Sequence, residues 1–173
     1  MINIIKPLKY QPNYCEENIW HLCQHRKYLG GKVIFISSLG NYFPMLCQKG
    51  GKEIDQTIFW DYHVILLKEG KIFDFNSTLS FSTPIKDYFE QSFIEDFLLM
   101  PHQAPKFRVL DAEEYIRLFL SDRRHMKANS TWISPPPSWP PISETSSNLE
   151  RFTDMRDLEI GDVLTASQVL ERF

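Results

Sequence analysis

The chain has 173 residues, a formal net charge of -3 at pH 7, and 43% hydrophobic and 14% aromatic residues. That length and apolar content suit a single domain over residues 1–173 with a substantial core, and the negative balance speaks against a nucleic-acid or anionic-membrane binder. No apolar run approaches the ~20 residues that cross a bilayer, and residues 1–10 lack the apolar segment of a signal peptide, so a cytoplasmic protein is expected.

Three cysteines, Cys15, Cys23 and Cys47, form an odd set without disulfide-framework spacing and read as reduced thiols. The first predicted element is a helix over 14–28, where Cys15, Ile19, Leu22 and Cys23 recur at helical spacing and Asn13 is placed to cap. Cys15 then lies in the first turn, beneath unpaired backbone N–H groups that favour a thiolate, while the charges of Glu16 and Glu17 oppose it.

Apolar, β-branched stretches at 32–37 and 43–48, separated by Gly40-Asn41, suggest two strands joined by a turn. The clearest hairpin follows, with strands over 57–67 and 71–75 and Glu69-Gly70 as its two-residue turn. In that register Leu67 faces Ile72, Ile65 faces Asp74 and His63 faces Asn76. His63 and Asp74 are then diagonal neighbours on one face, within reach of a side-chain hydrogen bond.

Beyond the hairpin, Pro84 precedes a helical stripe of Ile85, Phe89, Phe93 and Phe97, and 106–110 reads as a strand. Asp111 and Glu114 have capping-box spacing at the start of a helix through Leu120. Residues 132–141, with five prolines and two tryptophans, form a rigid loop whose tryptophans call for burial. Short helices are expected at 149–155 and 167–173. A helix, then antiparallel strands, then helices make an α+β fold: an antiparallel sheet flanked by helices, an α-β-α sandwich.

A cysteine at a helix start, then a histidine and a carboxylate on adjacent strands, is the order of papain-like and transglutaminase-like cysteine hydrolases. The thiolate attacks, the imidazole takes and returns a proton, and the carboxylate fixes the imidazole tautomer. Read from spacing, Cys15 and His63 leave two choices for the third member, Asp74 and Asn76. His21 and His25 lie one turn apart near Cys23, but no fourth ligand has metal-site spacing, so no metal is assigned. Arg123-Arg124 reads as a solvated pair, and His102 and His125 have no partner in the local sequence.

The runs Tyr14-Cys15-Glu16-Glu17-Asn18-Ile19-Trp20 and Trp60-Asp61-Tyr62-His63-Val64 resemble the two signature segments of the protein N-terminal glutamine amidohydrolase family. Phe73-Asp74, Lys106-Phe107-Arg108-Val109, Ser121-Asp122-Arg123, His125-Met126 and Pro135-Pro136-Pro137 resemble it in the same order. The resemblance implies Cys15, His63 and Asp74 as nucleophile, base and orienting acid, and favours Asp74 over Asn76. At Asn76 the chain departs from the family, where an acid is familiar. The implied reaction turns the N-terminal glutamine of a protein or peptide into glutamate with loss of ammonia, in a monomer without cofactors.

Selecting a chain terminus requires acceptors for an α-ammonium, for which Glu16, Glu17, Asp61 and Asp122 are candidates. Trp60 and Tyr62 are placed to wall the pocket, and Asn76 lies beside it. Two other readings stay open: a cysteine peptidase or transglutaminase on the same triad, and a non-catalytic module presenting the proline loop to partners.

Overall fold

Alternation of apolar side chains builds the centre of the molecule. In the computed structural model, which describes residues 7–51 and 56–173, a six-stranded antiparallel sheet separates two apolar layers. The reading of residues 1–10 as lacking a leader falls outside the described residues for 1–6. Among the described residues no helix is long and apolar enough to cross a membrane.

In chain order the elements are α1 (Cys15–Cys23), β1 (Lys32–Ser37), β2 (Phe43–Met45), β3 (Ile58–Trp60), β4 (His63–Lys68), β5 (Lys71–Phe73) and β6 (Ser82–Pro84). Then come α2 (Ile85–Ser92), β7 (Lys106–Asp111), α3 (Ala112–Leu118), β8 (Lys127–Ala128), β9 (Thr131–Trp132), α4 (Leu149–Thr153), β10 (Asp162–Leu164) and α5 (Ala166–Arg172). The main sheet runs β10-β7-β1-β4-β5-β6. Val33 and Phe35 of β1, with Val64 and Leu66 of β4, face α1, α3 and α4; Ile34, Ile36, Ile65 and Leu67 face α2 and α5. Helices on both faces of an antiparallel sheet make the expected sandwich.

The first face holds an aromatic cluster of Phe35, Tyr115, Phe119 and Phe152, with ring centroids 4.9–6.0 Å apart. On the same face the fully buried Arg108 donates to the carbonyls of Phe152, Asp154, Asp157 and Ile160. One guanidinium thereby organises the loop leading into β10.

Several expectations are corrected. Helix α1 is shorter than 14–28, giving way to a 3₁₀ turn at Arg26–Tyr28. Asn13 does not cap it: its φ is 66° and its amide donates to Ser134 Oγ. Strand β2 does not join β1 through a hairpin; it pairs with β3 in a separate two-stranded sheet. The strand expected over 57–67 breaks at Asp61-Tyr62, where Asp61 Oδ1 accepts from the Tyr62 amide. Phe93 and Phe97 lie outside α2, and Phe97 is 81% exposed.

Asp111 forms no capping box; its carboxylate pairs with Lys32 on the neighbouring strand at 2.5 Å. A capping box occurs instead at Thr165 and Gln168 of α5. Trp132 is exposed, stacked under Lys127, while Trp139 is half-buried.

Candidate active site

The β4–β5 hairpin carries the histidine and the acid. Glu69 and Gly70 both have positive φ, the conformation that a two-residue hairpin turn demands, and Leu67 pairs with Ile72 as expected. The ladder then ends at Phe73 opposite Leu66, so Ile65–Asp74 and His63–Asn76 are not strand partners. The Asp74 amide instead donates to the Phe81 carbonyl, and the chain turns. Asp74 still meets His63: Nε2 lies 2.9 Å from Oδ1, with both side chains almost wholly buried.

Asp74 is saturated with donors. Besides His63, Oδ1 accepts from the Asn76 amide at 2.8 Å, and Oδ2 accepts from Tyr88 Oη at 2.8 Å and Gln48 Nε2 at 3.4 Å. Burial by itself raises its pKa, but His63 and these donors more than offset it and hold the carboxyl below its ordinary value. An ionised Asp74 accepts only, so Nε2 of His63 carries the proton and Nδ1 of a neutral ring is left with a lone pair. That Nδ1 is buried, without a hydrogen-bond partner among the described residues. Trp60 stacks on the His63 ring at 5.1 Å and 17°, fixing its plane.

Cys15 opens α1 on the other side of the strand. Its sulfur is approached by the backbone N–H of Val64, the residue after His63, so the thiol sits at the same end of β4 as the imidazole. The thiol donates to Glu16 Oε2 at 3.8 Å. Burial first, then Glu16, Asp61 and Asp74, push its pKa well above the ordinary value, and the Val64 amide only partly opposes them. The helix start therefore does not win the contest over Cys15. The hydrogen bond to Glu16 has the sulfur as its donor, as a thiol makes it.

Around it lies a buried polar cluster. Tyr62 Oη donates to Glu16 Oε2 at 3.1 Å and lies 3.2 Å from His125 Nε2. Glu16 Oε1 is 3.3 Å from the same Nε2, without hydrogen-bond alignment, and has no other donor among the described residues. Glu17, equally buried, is bound by Arg123 through Nε at 2.6 Å and Nη2 at 2.8 Å, and by Trp139 Nε1 at 2.8 Å. Arg123 is thus no solvated residue, and only Arg124 is exposed. With Tyr14 donating to the Ser134 carbonyl and Gln11 to that of Pro135, these bonds hold the proline loop on the start of α1.

Of the candidate residues, Glu16 and Tyr62 share contacts next to Cys15, and Trp60, Asp74 and the Asn76 backbone gather at His63. Asp61 is exposed, and its charge is felt at the thiol. Asp122 pairs with Arg124 at 2.5 Å instead. Sequence reasoning missed Tyr88, Gln48, His125 and the Glu17–Arg123 pair. Tyr88 had a signal, since it lies three residues from Ile85 on the buried face of α2.

Residues 10–173 match the family model described as N-terminal glutamine amidase. The chain is 36% identical to the protein N-terminal glutamine amidohydrolase of Drosophila melanogaster, and 39% and 35% identical to those of Drosophila erecta and Drosophila virilis. Each alignment covers 98% of this chain and 90% of the relative.

Proposed function

We propose, from the premise that this chain belongs to the N-terminal glutamine amidase family, that it works as a cysteine amidohydrolase with Cys15 as nucleophile, His63 as base and Asp74 as orienting acid. The protein deamidates N-terminal glutamine of proteins or peptides, giving glutamate and ammonia. The observation that carries the triad is the paired His63 Nε2 beside the unpaired Nδ1. Asp74 holds the tautomer whose free nitrogen can accept the Cys15 proton.

In the proposed sequence the Cys15 proton passes to His63 Nδ1, and the thiolate adds to the side-chain carboxamide carbon. His63 returns the proton to the departing ammonia, leaving a glutamyl thioester on Cys15. Water deprotonated by His63 then adds to the thioester; the sulfur leaves as thiol and the glutamate side chain is released. The Val64 N–H, directed at the sulfur, steadies the thiolate, and backbone amides at the start of α1 are placed to serve the oxyanion. This is the chemistry of a papain-like or transglutaminase-like core in one catalytic domain, and it needs no cofactor. A monomer acting in the cytoplasm suffices for it.

Substrate contacts are assigned to Glu16, Trp60, Asp61, Tyr62 and Asn76. Asp122, engaged by Arg124, has the weakest claim. The test is ammonia release and peptide mass after incubation with glutamine-started, asparagine-started and internal-glutamine peptides. Wild type is expected to convert only the first, and Cys15→Ala none. Backbone cleavage or isopeptide formation overturns the reading in favour of a peptidase or transglutaminase.

A further inference from the structure

Resting on that reading, we propose that the substrate's own α-ammonium is a working part of the reaction: seated on Glu16, it cancels the carboxylate charge beside Cys15 and lets the thiolate form only when a free N-terminus is bound. The geometry that points to it is an unfilled acceptor. Glu16 is wholly buried, yet among the described residues Oε1 has no aligned hydrogen-bond donor, only His125 Nε2 at 3.3 Å, whereas both oxygens of Glu17 and both of Asp74 are occupied. A buried carboxylate oxygen without a donor is costly, and a cationic donor is the group that satisfies it best.

The surrounding side chains fit that role. Tyr62 Oη fixes Oε2 and leaves Oε1 open. His125 is the partner with an exposed flank, 20% accessible, and its Nδ1 also lacks a hydrogen bond. Among the described residues that ring is held by its contacts with Tyr62 and by the unaligned 3.3 Å approach to Oε1; an ammonium entering beside Oε1 replaces the latter as the ring turns outward. Reach is also satisfied. In glutamine the α-nitrogen and the side-chain amide carbon are about 5 Å apart, and attack needs about 3–3.5 Å between sulfur and carbon. An ammonium beside Oε1 of Glu16, a carboxylate whose other oxygen lies 3.8 Å from the sulfur, is close enough for the glutamine side chain to span to Cys15.

Without substrate, the thiol donates its proton toward Glu16, and ionising it sets two negative charges side by side away from water. With the ammonium in place, the proton goes to His63 Nδ1 and the sulfur keeps its electron pair against the Val64 amide. An acetylated terminus or an internal glutamine brings no cation and leaves the thiol protonated. Recognition of a chain end is thereby built into the activation of the nucleophile.

The experiment follows iodoacetamide labelling of Cys15 in the intact enzyme at neutral pH, with a saturating glycine-started tripeptide or its N-acetyl form. Glycine brings the ammonium without a side chain to cover the sulfur. The free-amine peptide is expected to speed labelling at least tenfold, in line with the one to three pKa units an adjacent charge commands, and the acetylated peptide to leave it unchanged. Glu16→Gln is expected to label fast without peptide and to lose most of its preference for free over acetylated glutamine peptides.

An unchanged or slower rate with the free-amine peptide, or its failure to compete with substrate, overturns the inference. So does a Glu16→Gln enzyme with wild-type preference. The wild-type arm decides the matter even if that variant does not fold. If Cys15→Ala still releases ammonia, the triad reading falls and takes this inference with it; if that variant is dead while labelling is unmoved, only this inference falls.

Discussion

Asp74 and Glu16 are both buried carboxylates, one bonded to His63 and the other to Cys15, and their surroundings differ in kind. Asp74 accepts four hydrogen bonds from four separate parts of the chain. Glu16 accepts two on one oxygen and has none aligned on the other. A saturated carboxylate is scaffolding: it stays ionised, keeps its neighbour in one tautomer, and needs nothing from solution. An unsaturated one, equally dehydrated, is an energetic liability unless a ligand completes it. Glu17, two residues from Cys15, belongs to the first kind, clamped by Arg123 and Trp139.

The largest effect that can break this contrast is on turnover. Asp74→Asn is expected to lower kcat by about 10⁴ with the fold retained, as removal of a tautomer-fixing acid does in related triads, measured by ammonia release alongside thermal unfolding. Asn76→Ala should cost less than tenfold, because Asn76 reaches Asp74 through its backbone N–H. The reverse ranking would make Asn76 the third member.

Next in size is a stability effect. Arg123→Leu strands the Glu17 carboxylate with Trp139 alone, and is expected to destabilise the protein by about 3–5 kcal/mol, the usual result of removing one partner of a buried pair. Chemical denaturation measures it, and a loss under about 1 kcal/mol would mean that Arg123 does not clamp Glu17.

Smaller still is Tyr88→Phe, which removes one donor from Asp74 for about 1–2 kcal/mol. Because the folded-state pKa of Asp74 is depressed, its contribution is present above the ordinary carboxylate value and disappears as pH falls through the lowered one. Losing the Tyr88 hydroxyl raises the folded value toward the ordinary one, so in the variant the acid-side loss of stability due to Asp74 should be smaller and should be complete at higher pH. An unchanged acid limb would show that Tyr88 does not hold Asp74 ionised.

What the sequence made legible was local. The Glu69-Gly70 turn, the Leu67–Ile72 register and the alternation in β1 depend on neighbours a few residues apart, and each is present. Asp74 was found by a hairpin register that in fact stops one residue earlier; the acid reaches His63 from the turn that follows. Contacts across the chain were not legible. Glu17 meets Arg123 across 106 residues, and Glu16 meets His125 from α1 to a 3₁₀ turn far downstream. Nothing in the spacing of those residues announces the pairing. Asp111 misled for a related reason, since a cross-strand lysine took the carboxylate that its local pattern assigned to a cap.

Whether Cys15 carries the glutamyl group is read by rapid acid quench of wild-type enzyme during turnover of a glutamine-started peptide, followed by intact mass and peptide mapping. An adduct equal to the peptide less ammonia is expected on the fragment containing Cys15, absent from Cys15→Ala. Ammonia release with no adduct at any quench time, or an adduct mapped to Cys23 or Cys47, would contradict that role.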